Sequence, residues 1–165
     1  MRVKITKTNV YKFDELSEGA KDRAIEKLYY INVNHDWWDY VYDDAEEIGL
    51  KIEGFDLGRA NYCKGKFTQS AEDVAKAIIE NYGKDCETYK TAMEYLNALE
   101  VLRNGIEDED EDVDTEEIDE EFLKSLCEDY RIMLSREYDY LTSRESIIET
   151  IEANEYEFDE DGNLA

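Results

Sequence analysis

The chain is expected to fold as α+β: a small antiparallel sheet packed with helices, followed by a mostly helical acidic half. The order of elements reads roughly β-α-α-β-β-α-α-α-α-β. Three observations lead there. Polarity alternates with period two at the start, and short β-prone runs around Ile52, Tyr62 and Phe67, broken by Gly54, Gly58 and Gly65, lie near residues 50–67. Apolar residues recur at helical spacing through most of the remainder. The composition, 42% hydrophobic and 12% aromatic in 165 residues, is far richer than that of an acidic disordered chain and suffices for one core.

The opening run "MRVKITKTNVYKF" places Val3, Ile5 and Val10 in alternation with Lys and Thr, the pattern of a half-buried strand. In "FDELSEGAKDRAIEKLYYI", Leu16, Ala20, Ala24, Ile25 and Leu28 form one helical stripe, with Asp14 or Ser17 as cap. After a break at "NVN", Trp37, Val41, Ala45 and Ile48 line a second helix that ends at Gly49, a residue suited to the left-handed backbone of a helix terminus. "LKIEGFDL" and "ANYCKGKF" read as a strand pair.

From Ser70 the chain turns helical. Val74, Ile78 and Ile79 mark one helix ending near Gly83; Tyr89, Met93, Leu96 and Leu99 or Leu102 mark the next, ending at Gly105. Ile118, Phe122, Leu126, Tyr130, Met133 and Leu134 make the stripe of a long helix reaching Leu141. Thr142 and Glu145 have the spacing of a capping box for the last helix, and "EYEFDEDGNLA" reads as a short strand and a turn. On composition the chain divides into an α+β scaffold, residues 1–67, and an acidic helical part, residues 68–165, whose C-terminal strand returns to the sheet, the two parts expected to fold as one cooperative unit.

The net charge is −25, and it is uneven: residues 1–70 hold 13 acids and 11 bases, residues 71–165 hold 31 acids and 8 bases. Such a field repels nucleic acid and anionic membranes and attracts basic surfaces. The densest stretch, "EDEDEDVDTEEIDEE" at residues 107–121, has twelve carboxylates in fifteen residues. On a helix this spacing puts a carboxylate every ~2 Å of axis, close to the ~1.7 Å per phosphate of duplex DNA. Acids at the start of the helix, Glu116, Glu117 and Asp119, also gain from its dipole. The run therefore has three competing readings: a solvated spacer, a loose divalent-metal trap, or a surface for a basic partner. "DEDGN" near the end lacks the downstream Glu of a calcium loop, which leaves only weak, delocalised divalent binding.

Neither a catalytic nor a cofactor site is expected. His35, the only histidine, stands beside Asp36 as a general base or a capping and packing residue, without a nucleophile partner, and no phosphate-loop or metalloprotease pattern occurs. Cys63, Cys86 and Cys127 have no C-x-x-C spacing, which points to reduced thiols rather than to a disulfide scaffold or a zinc site. With no apolar leader and no run of eighteen apolar residues, a cytoplasmic protein is expected. Trp37, Trp38, Tyr40 and Tyr42 give the second helix aromatic residues on two faces, and Trp38 is a candidate contact for a partner or for a homodimer.

The block "KFDELSEGAKDRAIEKL…HDWWDYVYDDAEEIGLKIEGFDLGRANYCKGKF" resembles an uncharacterised family of small acidic proteins carried by phages and prophages. The resemblance covers about residues 10–67, with a weaker echo in "ANEYEFDEDGNLA". It implies no catalytic residue. Its implication is genomic company, since phage-borne acidic proteins of this size often act against bacterial defence, and some antirestriction and anti-CRISPR proteins imitate DNA.

The expected function is accordingly inhibition of a basic, nucleic-acid-binding host protein by occupation of its groove, without direct contact to nucleic acid or membrane. The expected contact residues are Glu107, Asp108, Glu109, Asp110, Glu111, Asp112, Asp114, Glu116, Glu117, Glu120, Glu121, Glu128 and Asp129, within a field that extends to Glu137 and Asp139. The alternative is a small structural or regulatory protein that makes its contact around Trp38 and uses its acidity only for solubility.

Overall fold

The computed structural model describes residues 1–106 and 112–165, and the fold is α+β. The chain forms two compact units, one from residues 1–37 and 137–165, the other from residues 38–136. The compositional boundary at residue 67 falls inside the second of these.

In the first unit, β1 (Tyr11–Lys12) leads through a 3-10 turn (Phe13–Glu15) into α1 (Glu18–Lys27). Ser17 begins the helix, its hydroxyl accepting the amide of Ala20. The expected stripe is the buried one: Leu16, Ala20, Ala24 and Ile25 pack with Phe13, Ile147, Ile151 and Phe158 in a single core. The bulkier of these side chains each contribute about 1.5–3 kcal/mol by leaving water. Ile147 and Ile151 come from α6 (Arg144–Ala153), and Phe158 from β4 (Glu157–Phe158). The cap of α6 is Ser143, which accepts the amide of Ser146, and not the expected Thr142, whose hydroxyl bonds back to the Tyr138 carbonyl.

The opening strand is far shorter than the alternation predicts. Residues 1–10 have no regular structure, and Val3 and Ile5 are exposed. The reason lies at the other end of the chain. β1 pairs antiparallel with β4, Tyr11 opposite Phe158 and Lys12 opposite Glu157, so continuing it toward residue 1 requires a partner beyond Phe158. There the chain turns instead. The Asp159 carboxylate accepts the amides of Asp161 and Asn163, and Gly162 sits at φ +87° against α1, where a Cβ would stand 2.3 Å from the Ala20 carbonyl oxygen. The C-terminal strand thus returns to β1, in a sheet separate from the central hairpin.

The second unit opens with α2 (Asp39–Glu47), which buries Val41 and Ala45, followed by buried Ile48. Gly49, at φ +92°, turns the chain into β2 (Leu50–Asp56). β2 pairs antiparallel with β3 (Tyr62–Phe67), Leu50 opposite Phe67 and Asp56 opposite Tyr62, with a bulge between Ile52 and Gly54. Then come α3 (Ala71–Asn81), capped by Ser70, and α4 (Glu87–Asn104). The buried face of α4 is Thr88, Ala92, Tyr95 and Leu99, rotated by one residue from the expected Tyr89, Met93 and Leu96, which are half-buried. α5 (Glu116–Leu141) buries Phe122, Leu126, Cys127, Tyr130 and Leu134 and carries the chain from the second unit into the first.

All three cysteines carry free thiols, and those of Cys63 and Cys127 hydrogen-bond to each other. Their interaction pushes the Cys63 thiol up and the Cys127 thiol down from the ordinary value.

Candidate partner-binding face

The acidic residues ahead of α5 set up its first turn. The Asp114 carboxylate accepts the amide of Glu116, and the Thr115 carbonyl accepts the amide of Asp119. Asp119 then turns inward: its two oxygens accept the Tyr95 hydroxyl at 2.6 Å and the Thr115 hydroxyl at 2.9 Å, tying α5 to α4. Burial, and next the bond to the Asp119 carboxylate, push the Tyr95 hydroxyl well above its ordinary value.

The remaining acids of this stretch face water. Asp112, Asp114, Glu116, Glu117, Glu120 and Glu121 are all exposed, and none enters an ion pair among the described residues. On the helix they form two i,i+4 rows, Glu116 with Glu120 and Glu117 with Glu121. Four charges lie within about 8 Å of helix axis, or ~2 Å per charge, near the linear density of a duplex. Farther along, Lys124 interrupts the first of these rows.

Two predicted contact residues have other work within the fold. Glu128 is exposed but bound by the Arg131 guanidinium through two hydrogen bonds, which hold its carboxyl below the usual range. Asp129 is half-buried and accepts the Thr91 hydroxyl at 2.6 Å; burial raises its carboxyl, with smaller contributions from the charges of Glu87, Glu128 and Glu94. Glu137 and Asp139 belong to the first unit. Glu107, Asp108, Glu109, Asp110 and Glu111 lie outside the described residues.

Trp38 immediately precedes α2 and is half-buried, its ring edge-on to Phe55 at 5.6 Å. The more exposed ring of that helix is Tyr40. His35 is exposed, with Nδ1 at 3.1 Å from the Asn34 side-chain oxygen, and does not cap α2. Among the described residues no three His, Cys, Asp or Glu side chains are grouped to hold a metal ion, and no helix is long and apolar enough to cross a membrane.

Sequence reasoning missed the buried polar contacts. Besides Asp119 with Tyr95, the Asp44 carboxylate accepts the Tyr82 hydroxyl at 2.7 Å and the Tyr130 hydroxyl at 3.4 Å. These partners lie 38 and 86 residues away along the chain. Nothing local distinguishes Asp44 from Asp43, which is exposed. Comparison with protein-family models, curated proteins and solved structures finds no match to this chain.

Proposed function

We propose that the protein is a binding inhibitor of phage type that occupies the nucleic-acid groove of a basic host protein. The observation that carries this reading is the set of six exposed carboxylates within residues 112–121, none of them in an ion pair among the described residues. Like charges at i,i+4 repel, and Glu120 and Glu121 lie past the first turn, where the helix dipole gives little in return. In the isolated chain these acids are a liability, which the Lys and Arg of a phosphate-binding groove relieve on docking. Replacement of bound counterions and phosphates by such rows gives fast, salt-sensitive association.

The test is affinity capture of the host partner, followed by competition with DNA or RNA. Replacing Glu116, Glu117, Glu120 and Glu121 by Gln keeps size and removes charge. Exposed pairs are worth ~0.2–1 kcal/mol each, so binding should weaken by about fourfold to a thousandfold. Trp38→Ala should leave binding within about threefold, since its ring already packs on Phe55. Binding unaffected by the four Gln, or insensitive to nucleic acid, sinks the reading; loss on the tryptophan change alone moves the interface to α2.

A further inference from the structure

Between α4 and α5, within the second unit, lies a groove with a cavity of about 170 Å³. Each helix lines it with one face at i, i+3, i+4, i+7 spacing, starting from Thr91 on α4 and from Ile118 on α5. The floor is the stacked pair Tyr95 and Phe122, both buried, with centroids 4.6 Å apart and planes at 21°. Ala98 and Ser125 give the groove its depth because their side chains are small. On the rim stand Glu94 and Glu121, both exposed and neither in an ion pair among the described residues.

The recess is therefore apolar below and doubly anionic above. Thr91 brings a third carboxylate close, since its hydroxyl is bonded to half-buried Asp129. Of the cations near it in the chain, Lys90 pairs with Glu87 and Arg131 with Glu128, whereas Lys124, one turn beyond Glu121 on α5, is exposed and in no ion pair among the described residues. A small hydrated ion gains little from an aromatic floor, whereas a side chain with an apolar stem and a cationic end matches both levels. Of the two such side chains, arginine suits better: its guanidinium is planar and weakly hydrated, stacks on rings, and has five donors to divide between two carboxylates. A cavity of ~150 Å³ accommodates a benzene ring, so the space is adequate for a guanidinium and part of its stem.

We infer that this groove is the seat for one arginine of the basic partner, its guanidinium between Glu94 and Glu121 and its stem over Tyr95 and Phe122. The inference rests on the reading that the partner is a basic protein, and adds to it a pocket that discriminates arginine from lysine.

The probes are acetylated octa-arginine amide and its octalysine counterpart, titrated into the full-length protein while methyl resonances of Ala98 and Ile118 are followed by NMR. Octa-arginine should shift these methyls and bind at least tenfold more tightly than octalysine. Ser125→Leu fills the groove without altering charge and should abolish that preference; Ala98→Leu serves the same purpose if the first variant melts early. Glu94→Gln with Glu121→Gln should weaken octa-arginine by about tenfold. Equal affinity for the two peptides, or a preference that survives both groove-filling variants, overturns the inference. An arginine-selective groove in a protein that never competes with nucleic acid keeps the seat and removes the mimicry. Competition that persists after the groove is filled does the reverse.

Discussion

Two neighbouring carboxylates on α5 have opposite fates. Asp119 is held by Tyr95 and Thr115, and Glu120 points to water. In the sequence they are adjacent members of one anionic run. Their separation is decided by Tyr95, 24 positions earlier, whose buried hydroxyl requires an acceptor. Asp119→Ala should accordingly lower stability by about 1–3 kcal/mol, the usual range for stranding a buried hydroxyl and losing bonds to a charged group. Glu120→Ala, on the exposed face, should stay within about 0.5 kcal/mol of the parent. Urea midpoints at constant slope measure both. Equal losses would show that the inward bond contributes nothing particular.

At the scale of elements, the helices are legible wherever a local cue fixes them. Ser17, Ser70 and Ser143 each accept the amide three residues on, and Gly49 takes the left-handed backbone that ends α2. The Thr142 and Glu145 pair matched a capping pattern equally well, but Thr142 bonds backward to Tyr138 and leaves the cap to Ser143. Ser143→Ala should therefore cost about 1 kcal/mol, with Glu145→Ala costing less, as thermal melts of the two variants can show. The misread elements are those whose outcome depends on a distant partner. Alternation in residues 1–10 has a strand's pattern, yet β4 ends at Phe158 and leaves those residues nothing to pair with. The face of α4 lies one position from the expected Tyr89, Met93 and Leu96 because Tyr95 is the buried ring that stacks on Phe122. The candidate face was legible as charge and illegible as geometry: the run itself is plain in the sequence, but which acids point outward follows from α4.

For the whole molecule, an excess of 25 negative charges makes the folded state hold together against its own field. Moderate salt should raise the melting temperature by screening that repulsion. Acidification acts through individual groups with opposite signs. The raised carboxyl of Asp129 binds its proton more tightly in the folded chain than in the unfolded one, so it adds stability as pH falls through its folded value. Glu72 works the other way. Arg103 and Lys76 hold its carboxyl down from 4.5 to about 2, so its contribution is complete above 4.5 and disappears as pH falls toward 2. The melting temperature should thus hold or rise on mild acidification and fall only below about pH 4.5. A steady drop on adding salt from low ionic strength would show that specific ion pairs outweigh the collective repulsion.

The discontinuous make-up of the first unit matters while the chain is being made. α1 leaves the ribosome early, with Phe13, Leu16, Ala24 and Ile25 ready to be covered, but the residues that cover them, Ile147, Ile151 and Phe158, are translated only after the whole of residues 38–136. At about 5–20 residues per second the wait is roughly 6–25 s. During that interval the apolar stripe of α1 is open to chaperones and to neighbouring nascent chains. The second unit, continuous in the chain and complete at Arg136, can close before the translation of the first is finished.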